Sequence, residues 1–126
     1  MTIEDYFDGK PETRAIFSAV HDRIAALGPS EMTVASQISV GAKRKFAWFW
    51  LYNVTKKHPD GVLHLMLAID RQIDDPHIRD ISQISANRWN HQIVIRTIDD
   101  ARSEWLGDLL ELAYAYGIRA GRTAAG

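Results

Sequence analysis

The sequence predicts an α+β fold: an antiparallel sheet of about five strands, with helices from the N-terminal and C-terminal ends packed on one of its faces. Three observations predict it. Residues 11–27 repeat apolar side chains at helical spacing, residues 31–97 switch to period-two alternation broken by turn residues, and residues 100–117 return to helical spacing. Strands joined by short turns form a meander, and helices contributed from both ends then pack most simply on one side of it. At 126 residues the chain is read as a single domain, residues 1–126, long enough to bury its core without disulfides or a structural metal.

The helical region is 2–27. In TIEDYF, Thr2 is placed to cap a short helix with Asp5 as capping-box partner, and Asp8-Gly9 closes it. In PETRAIFSAVHDRIAALG, Pro11 suits the first turn and Glu12 the positive end of the helix; Ile16, Phe17, Val20, Ile24 and Leu27 form one stripe, and Gly28-Pro29 stops it. The sheet region, 31–97, begins with MTVASQISV, read as one strand with Ile38 and Val40 on one face. GAKRK turns the chain into FAWFWLY, and NVTKKHPDG turns it into VLHLMLAID, where Leu63, Leu65, Leu67 and Ile69 oppose Val62, His64 and Met66. A polar connection containing DDPHIRD leads to a short strand at Ile81 to Ile84, and HQIVIRT is the last strand. Asp99 or Asp100 caps the final helix, 100–117, which buries Trp105, Leu106, Leu109, Leu110 and Ala113 and ends at Gly117; residues 120–126 read as a frayed tail.

With 46% hydrophobic and 25% charged residues, the composition is that of an ordinary globular protein and excludes a disordered or fibrous class. The absence of cysteine excludes disulfides, zinc–thiolate sites and thiol catalysis. The acidic N-terminus, MTIEDYFDGK, does not read as a signal peptide, and no run approaches the roughly 20 apolar residues of a membrane span. A cytoplasmic location is the expectation. A net charge of −1 argues against nucleic acid as a general partner.

The most informative stretch is KFAWFWLY, Lys45 to Tyr52, which carries bulky apolar groups on both faces of one strand. Alternation puts Phe46, Trp48, Trp50 and Tyr52 on one side and Ala47, Phe49 and Leu51 on the other. With helices covering one face, one of these sets must lie outside. The expectation is that the Trp48/Trp50 set faces outward beside His64 and Met66.

The runs YFDGKPETRAIF, LGPSEMTV, QIS, KFAW, DDPHIRDI, HQIVIRTIDD and WLGDLLELAYAYG, in this order, resemble an uncharacterised bacterial family, domain of unknown function 5655. That family is remotely similar to YdhG-like proteins and, through them, to the frataxin-like sandwich, which implies the same helix, sheet, helix plan. The family's usual lysine before the first-strand isoleucine is here Ala35. Its arginine after the long hydrophobic strand falls near Arg71 or Gln72, and its arginine after the proline is His77. The resemblance implies no reaction, because fold does not carry function.

Several constellations are candidates for chemistry. His91 follows Trp89-Asn90 at the start of the last strand, where an imidazole can serve as donor, acid or base, or as a hydrogen-bonded structural group. Asp70-Arg71, Asp74-Asp75 and His77 share one connection, but adjacent aspartates diverge and Asp75-Pro76 reads more simply as a turn, so no metal site is expected. Asp5, Asp8 and Glu12 make only a thin acidic ridge, followed by Arg14, His21 and Arg23. Lys43-Arg44-Lys45 and Lys56-Lys57-His58 bracket the aromatic strand, as single-strand phosphate contacts or as solvated edge protection. An open apolar face also suits a homodimer. The expected function is a binding module rather than an enzyme, without a cofactor. Its site comprises Trp48, Trp50, His64, Arg71 and His91, and its partner is a small anionic or aromatic ligand or a second copy of the chain. The alternatives are a small enzyme using His91 with Arg71, and a frataxin-like iron-handling protein.

Overall fold

The computed structural model describes residues 1–51 and 59–119; Tyr52, the Lys56-Lys57-His58 cluster and the tail 120–126 lie outside the described residues. The helices are α1 (Ile3–Tyr6), α2 (Pro11–Leu27), α3 (Ile98–Ala101) and α4 (Glu104–Ile118). The strands are β1 (Glu31–Val34), β2 (Ile38–Gly41), β3 (Lys45–Trp50), β4 (Leu63–Ile69), β5 (Ile78–Ser85) and β6 (Arg88–Ile95). They form one antiparallel sheet in the order β1-β2-β3-β4-β6-β5. The fold is α+β, as the periodicity predicts, with six strands instead of about five.

The additional strand comes from MTVASQISV, which folds back on itself as a hairpin. Val34 pairs with Ile38, and the Ala35 N–H donates to the Gln37 carbonyl at 3.0 Å. Ala-Ser-Gln lacks the Gly, Pro or Asn of a recognisable turn. What holds it is distant in sequence: the Tyr6 hydroxyl, just ahead of α2, donates to the Ser36 carbonyl at 3.0 Å. The strand expected at Ile81 to Ile84 runs from Ile78 to Ser85 and forms an edge, and HQIVIRT starts earlier, at Arg88.

One face of the sheet packs against α2 and α4. Across it run the inward rows Ile38–Phe49–Leu65–Ile93 and Val40–Ala47–Leu67–His91, whose members in the middle strands are all but inaccessible. Phe17 of α2 meets Phe49 edge-on at 5.0 Å, so the helical stripe and the strand interlock directly. Ile16, Phe17, Val20 and Ile24 are buried as the stripe predicts, whereas Leu27 lies at the end of α2 and is 37% exposed.

Trp48 and Trp50 face away from the helices, but Phe46 does not join them. Val40 pairs with Ala47 and Gly41 with Lys45, so one step along β2 matches two along β3, and Phe46 is the extra residue of a β-bulge. Released from alternation, Phe46 turns inward and is fully buried, with its ring edge-on to Tyr114 at 5.6 Å. It lies beneath Gly117, where any Cβ would overlap its ring. Gly117 therefore does not terminate the helix; it sits in the last turn of α4 as the residue small enough to admit Phe46.

The C-terminal helical region also differs from expectation. Thr97, not an aspartate, caps the short α3, and Ser103 starts a separate α4 by accepting from the Leu106 N–H at 3.3 Å. The Ser103 hydroxyl donates back to the Asp100 carbonyl at 2.6 Å, and this local competition for backbone groups breaks one periodic stretch into two helices. Arg23 crosses from α2 to donate to the Ala101 carbonyl at 2.8 Å. Leu106, Leu109, Leu110 and Ala113 are buried as expected, but Trp105 is only half-buried.

Turns of the sheet satisfy the helix ends. The Lys43 and Arg44 N–H groups donate to the Gly117 carbonyl at 2.9 and 3.1 Å; Arg44 Nε donates to the Tyr116 carbonyl at 2.9 Å while its guanidinium lies 3.6 Å from the Tyr116 ring centre. At the other end, α2 has no local side-chain cap, and Asp60 supplies one. Its Oδ1 accepts from the Thr13 N–H at 2.9 Å and from the Thr13 hydroxyl at 3.2 Å, and Thr13 Oγ1 accepts from the Gly61 N–H at 2.7 Å. Desolvation pushes the Asp60 carboxyl up, but hydrogen bonds from Thr13, Glu12 and Gly61 together hold it below its ordinary value.

Two substitutions test this packing. Gly117→Val should lower the unfolding free energy by about 1–3 kcal/mol through overpacking against Phe46. Thr13→Val, which keeps shape but leaves the Gly61 N–H without its acceptor, should cost about 1–2 kcal/mol. Urea unfolding, with a shifted midpoint and an unchanged slope, is the measurement.

Candidate functional site on the outer sheet face

The same alternation that fills the core sends a second set of side chains to the uncovered face. Register aligns Ser39, Trp48, Met66, Gln92 and Asp80 in one outward row, and Trp50, His64 and Val94 in the next. Trp50 and His64 are cross-strand neighbours whose rings stack with centroids 5.6 Å apart and planes 15° apart. Trp48 is flanked by Arg88, whose guanidinium carbon lies 5.2 Å from the indole centre while Nε donates to Asn90 Oδ1 at 3.2 Å. Both tryptophans are half-buried.

Beside the Trp50–His64 pair the surface forms a groove of about 520 Å³, within the size range of small-molecule sites. Trp50, His64, Gln92, Ile93 and Val94 of the sheet line it, with Pro59 and Val62 from the segment before β4 and with Arg79, Asp80 and Arg96. Arg79 comes from a bulge, because Ile78 pairs with Ile93 while Asp80 pairs with Gln92, and Arg96 continues β6 two residues beyond Val94. Desolvation, joined by the nearby charges of Arg96 and Arg79, pushes the His64 pKa down. At neutral pH its imidazole is therefore uncharged and offers one donor and one acceptor. The groove combines a flat aromatic wall with two guanidinium groups, a setting for an anion carried on a planar body.

The five predicted site residues do not form one site. Trp48, Trp50 and His64 share the outer face. His91 lies on the opposite face, fully buried beneath the helices in the row of Leu67. The Ile73 N–H donates to its Nε2 at 3.0 Å, and its Nδ1 lies 3.1 Å from the Trp89 carbonyl. This pattern specifies a neutral ring protonated at Nδ1, with both nitrogens occupied: the hydrogen-bonded structural role. Arg71 is exposed and its Nε pairs with Asp70 at 3.2 Å, and Arg119 of the C-terminal end pairs with the same carboxylate. His91 and Arg71 thus have separate partners and share no lining of the groove.

Elsewhere, Asp75 behaves as a turn residue. Its Oδ1 accepts from the His77 N–H at 2.8 Å and meets His77 Nδ1 at 2.7 Å, and the His77 ring stacks on Trp105 at 3.9 Å. Among the described residues no group of three or more His, Asp or Glu side chains could hold a metal ion. Among them, too, no helix is long and apolar enough to cross a membrane. Sequence reasoning missed Arg79, Arg88 and Arg96. Alternation from Val94 places Arg96 outward, but the bulge that brings Arg79 into the groove has no signature in the sequence.

Burial pushes the His91 pKa down, against backbone hydrogen bonds to Leu67 and Trp89 that raise it. The unfolded chain therefore takes up a proton first as pH falls through about 6.5. Stability should be complete above that value and decline below it. His91→Leu should lower stability at pH 7.5 by about 1–3 kcal/mol, because the Ile73 N–H and Trp89 carbonyl lose their partner. It should also flatten the decline below pH 6.5, leaving the His64 share, as followed by thermal unfolding across pH.

A comparison with curated proteins gives no match, and one with solved structures gives none either. A family model described as a domain of unknown function matches residues 3–117, from α1 to the last turn of α4. The chain therefore belongs to the family designated domain of unknown function 5655.

Proposed function

We propose that the chain is a non-enzymatic binding module whose outer sheet face receives a small anionic ligand with a planar or apolar body. The observation that carries this reading is the groove of about 520 Å³ in which Arg79 and Arg96 flank the stacked Trp50–His64 wall. Guanidinium groups bind carboxylates and phosphates through paired N–H donors, and the aromatic wall supplies the apolar contact. Neutral His64 adds orientation without adding charge. The binding residues are Trp50, His64, Arg79 and Arg96, with Trp48 beside them on the same face; Arg71 and His91 are not part of this reading.

Because Trp50 belongs to the wall, its fluorescence reports on occupancy. Titration with indole-3-carboxylate, benzoate and a nucleoside monophosphate should give saturable binding for at least one of them. In calorimetric titration, which does not depend on the Trp50 fluorophore, Trp50→Ala should weaken that binding by about tenfold and Arg96→Gln by a similar factor, while thermal unfolding stays cooperative. Saturable binding that neither substitution changes would place the ligand elsewhere and defeat the proposal.

A further inference from the structure

From the arrangement of stacking and cationic groups beyond the groove we infer that the outer face binds single-stranded nucleic acid, laid across β3, β4 and β6 with successive bases against Trp50 and Trp48. The inference rests on the groove reading and extends it to a second platform. Three independent features support it.

The first is repetition. Trp48 and Trp50 are two residues apart on β3, so their rings stand roughly 7 Å apart along one face. Each already has a stacking partner on the same face, His64 of β4 for Trp50 and Arg88 of β6 for Trp48. A small ligand in the groove uses the first platform only, whereas a strand of nucleotides uses both. Base–aromatic stacking of this kind is tolerant of sequence because every base has a flat face.

The second is charge. The chain as a whole carries −1, but the outward positions of β2, β3, β4 and β6 hold no carboxylate. Arg88, Arg79 and Arg96 border the two platforms, whereas the outward carboxylates of the strands are confined to the two edges, Glu31 of β1 and Asp80 of β5. The local field on this face is therefore positive although the molecule is not, which is the distribution a phosphate backbone requires.

The third is an open amide. Gln92 of β6 is exposed in the same outward row as Trp48 and Met66. Such a group pairs with exposed base edges, which single strands present and duplexes do not.

The test is fluorescence anisotropy of the full chain with short single-stranded homopolymers of thymidine and of uridine, about eight nucleotides long, beside a thymidine monophosphate titration followed by intrinsic fluorescence. The expected result is binding of at least one homopolymer at least tenfold tighter than of the mononucleotide, weakened about tenfold by either Trp48→Ala or Trp50→Ala. Arg88→Gln and Arg96→Gln should each reduce the slope of log affinity against log salt by about 0.7. If Trp48→Ala does not fold, Arg88→Gln carries the same test of the second platform. A homopolymer bound no tighter than the mononucleotide, or insensitive to both Trp48 and Arg88, overturns this inference and leaves the groove reading standing. Binding of aromatic acids alone does the same; no binding of any probe overturns both.

Discussion

The contact between Phe46 and Gly117 governs much of this molecule. A β-bulge gives β3 one extra residue, Phe46 drops under the last turn of α4, and the ring occupies space that any side chain at position 117 would fill. With Phe46 anchored, Ala47 and Phe49 take the inward positions opposite Leu67 and Leu65. Trp48 and Trp50 are then committed to the outer face. A one-residue slip would reverse this choice for every side chain of the strand, so the core contact also determines what the surface displays.

The helix ends follow from the same economy of close contacts. An α-helix leaves several backbone donors and acceptors unpaired at its termini, and a compact domain has to satisfy those it covers. Here the sheet turns do so. The turn between β2 and β3 presents the Lys43 and Arg44 N–H groups to the end of α4, and Asp60, just before β4, presents its carboxylate to the start of α2. Part of the basic cluster that looks like a ligand contact in the sequence is thus engaged in holding a helix. Arg44 in particular is spent on the Tyr116 carbonyl and ring.

The two histidines of the central strands show how face decides role. His91 and His64 stand on adjacent strands, and burial pushes both pKa values down. His91 has both nitrogens engaged by backbone groups beneath the helices, so it closes a polar gap in the core. His64 lies against Trp50 in an open groove with two arginines nearby, where its donor and acceptor face a ligand. Without the pairing register the residue type alone does not distinguish them.

The sequence by itself determined the α+β class, the stripe of α2, the alternation of β4 and that Trp48 and Trp50 share one face, because periods of 3.6 and 2 are local properties. It also determined the first caps: Thr2 with Asp5, and Pro11 at the head of α2. Tertiary structure decided the rest. Phe46 was placed by a bulge that depends on the neighbouring strand, the Ala35-Ser36-Gln37 turn was held by Tyr6, and Gly117 was read as a stop when it is a packing site. The candidate site shows the same division: the aromatic wall was legible, whereas Arg79 and Arg96 entered it and His91 and Arg71 left it. Which side chains share a surface depends on cross-strand register and on bulges. Both are set by contacts between residues far apart in the chain, which no local period encodes.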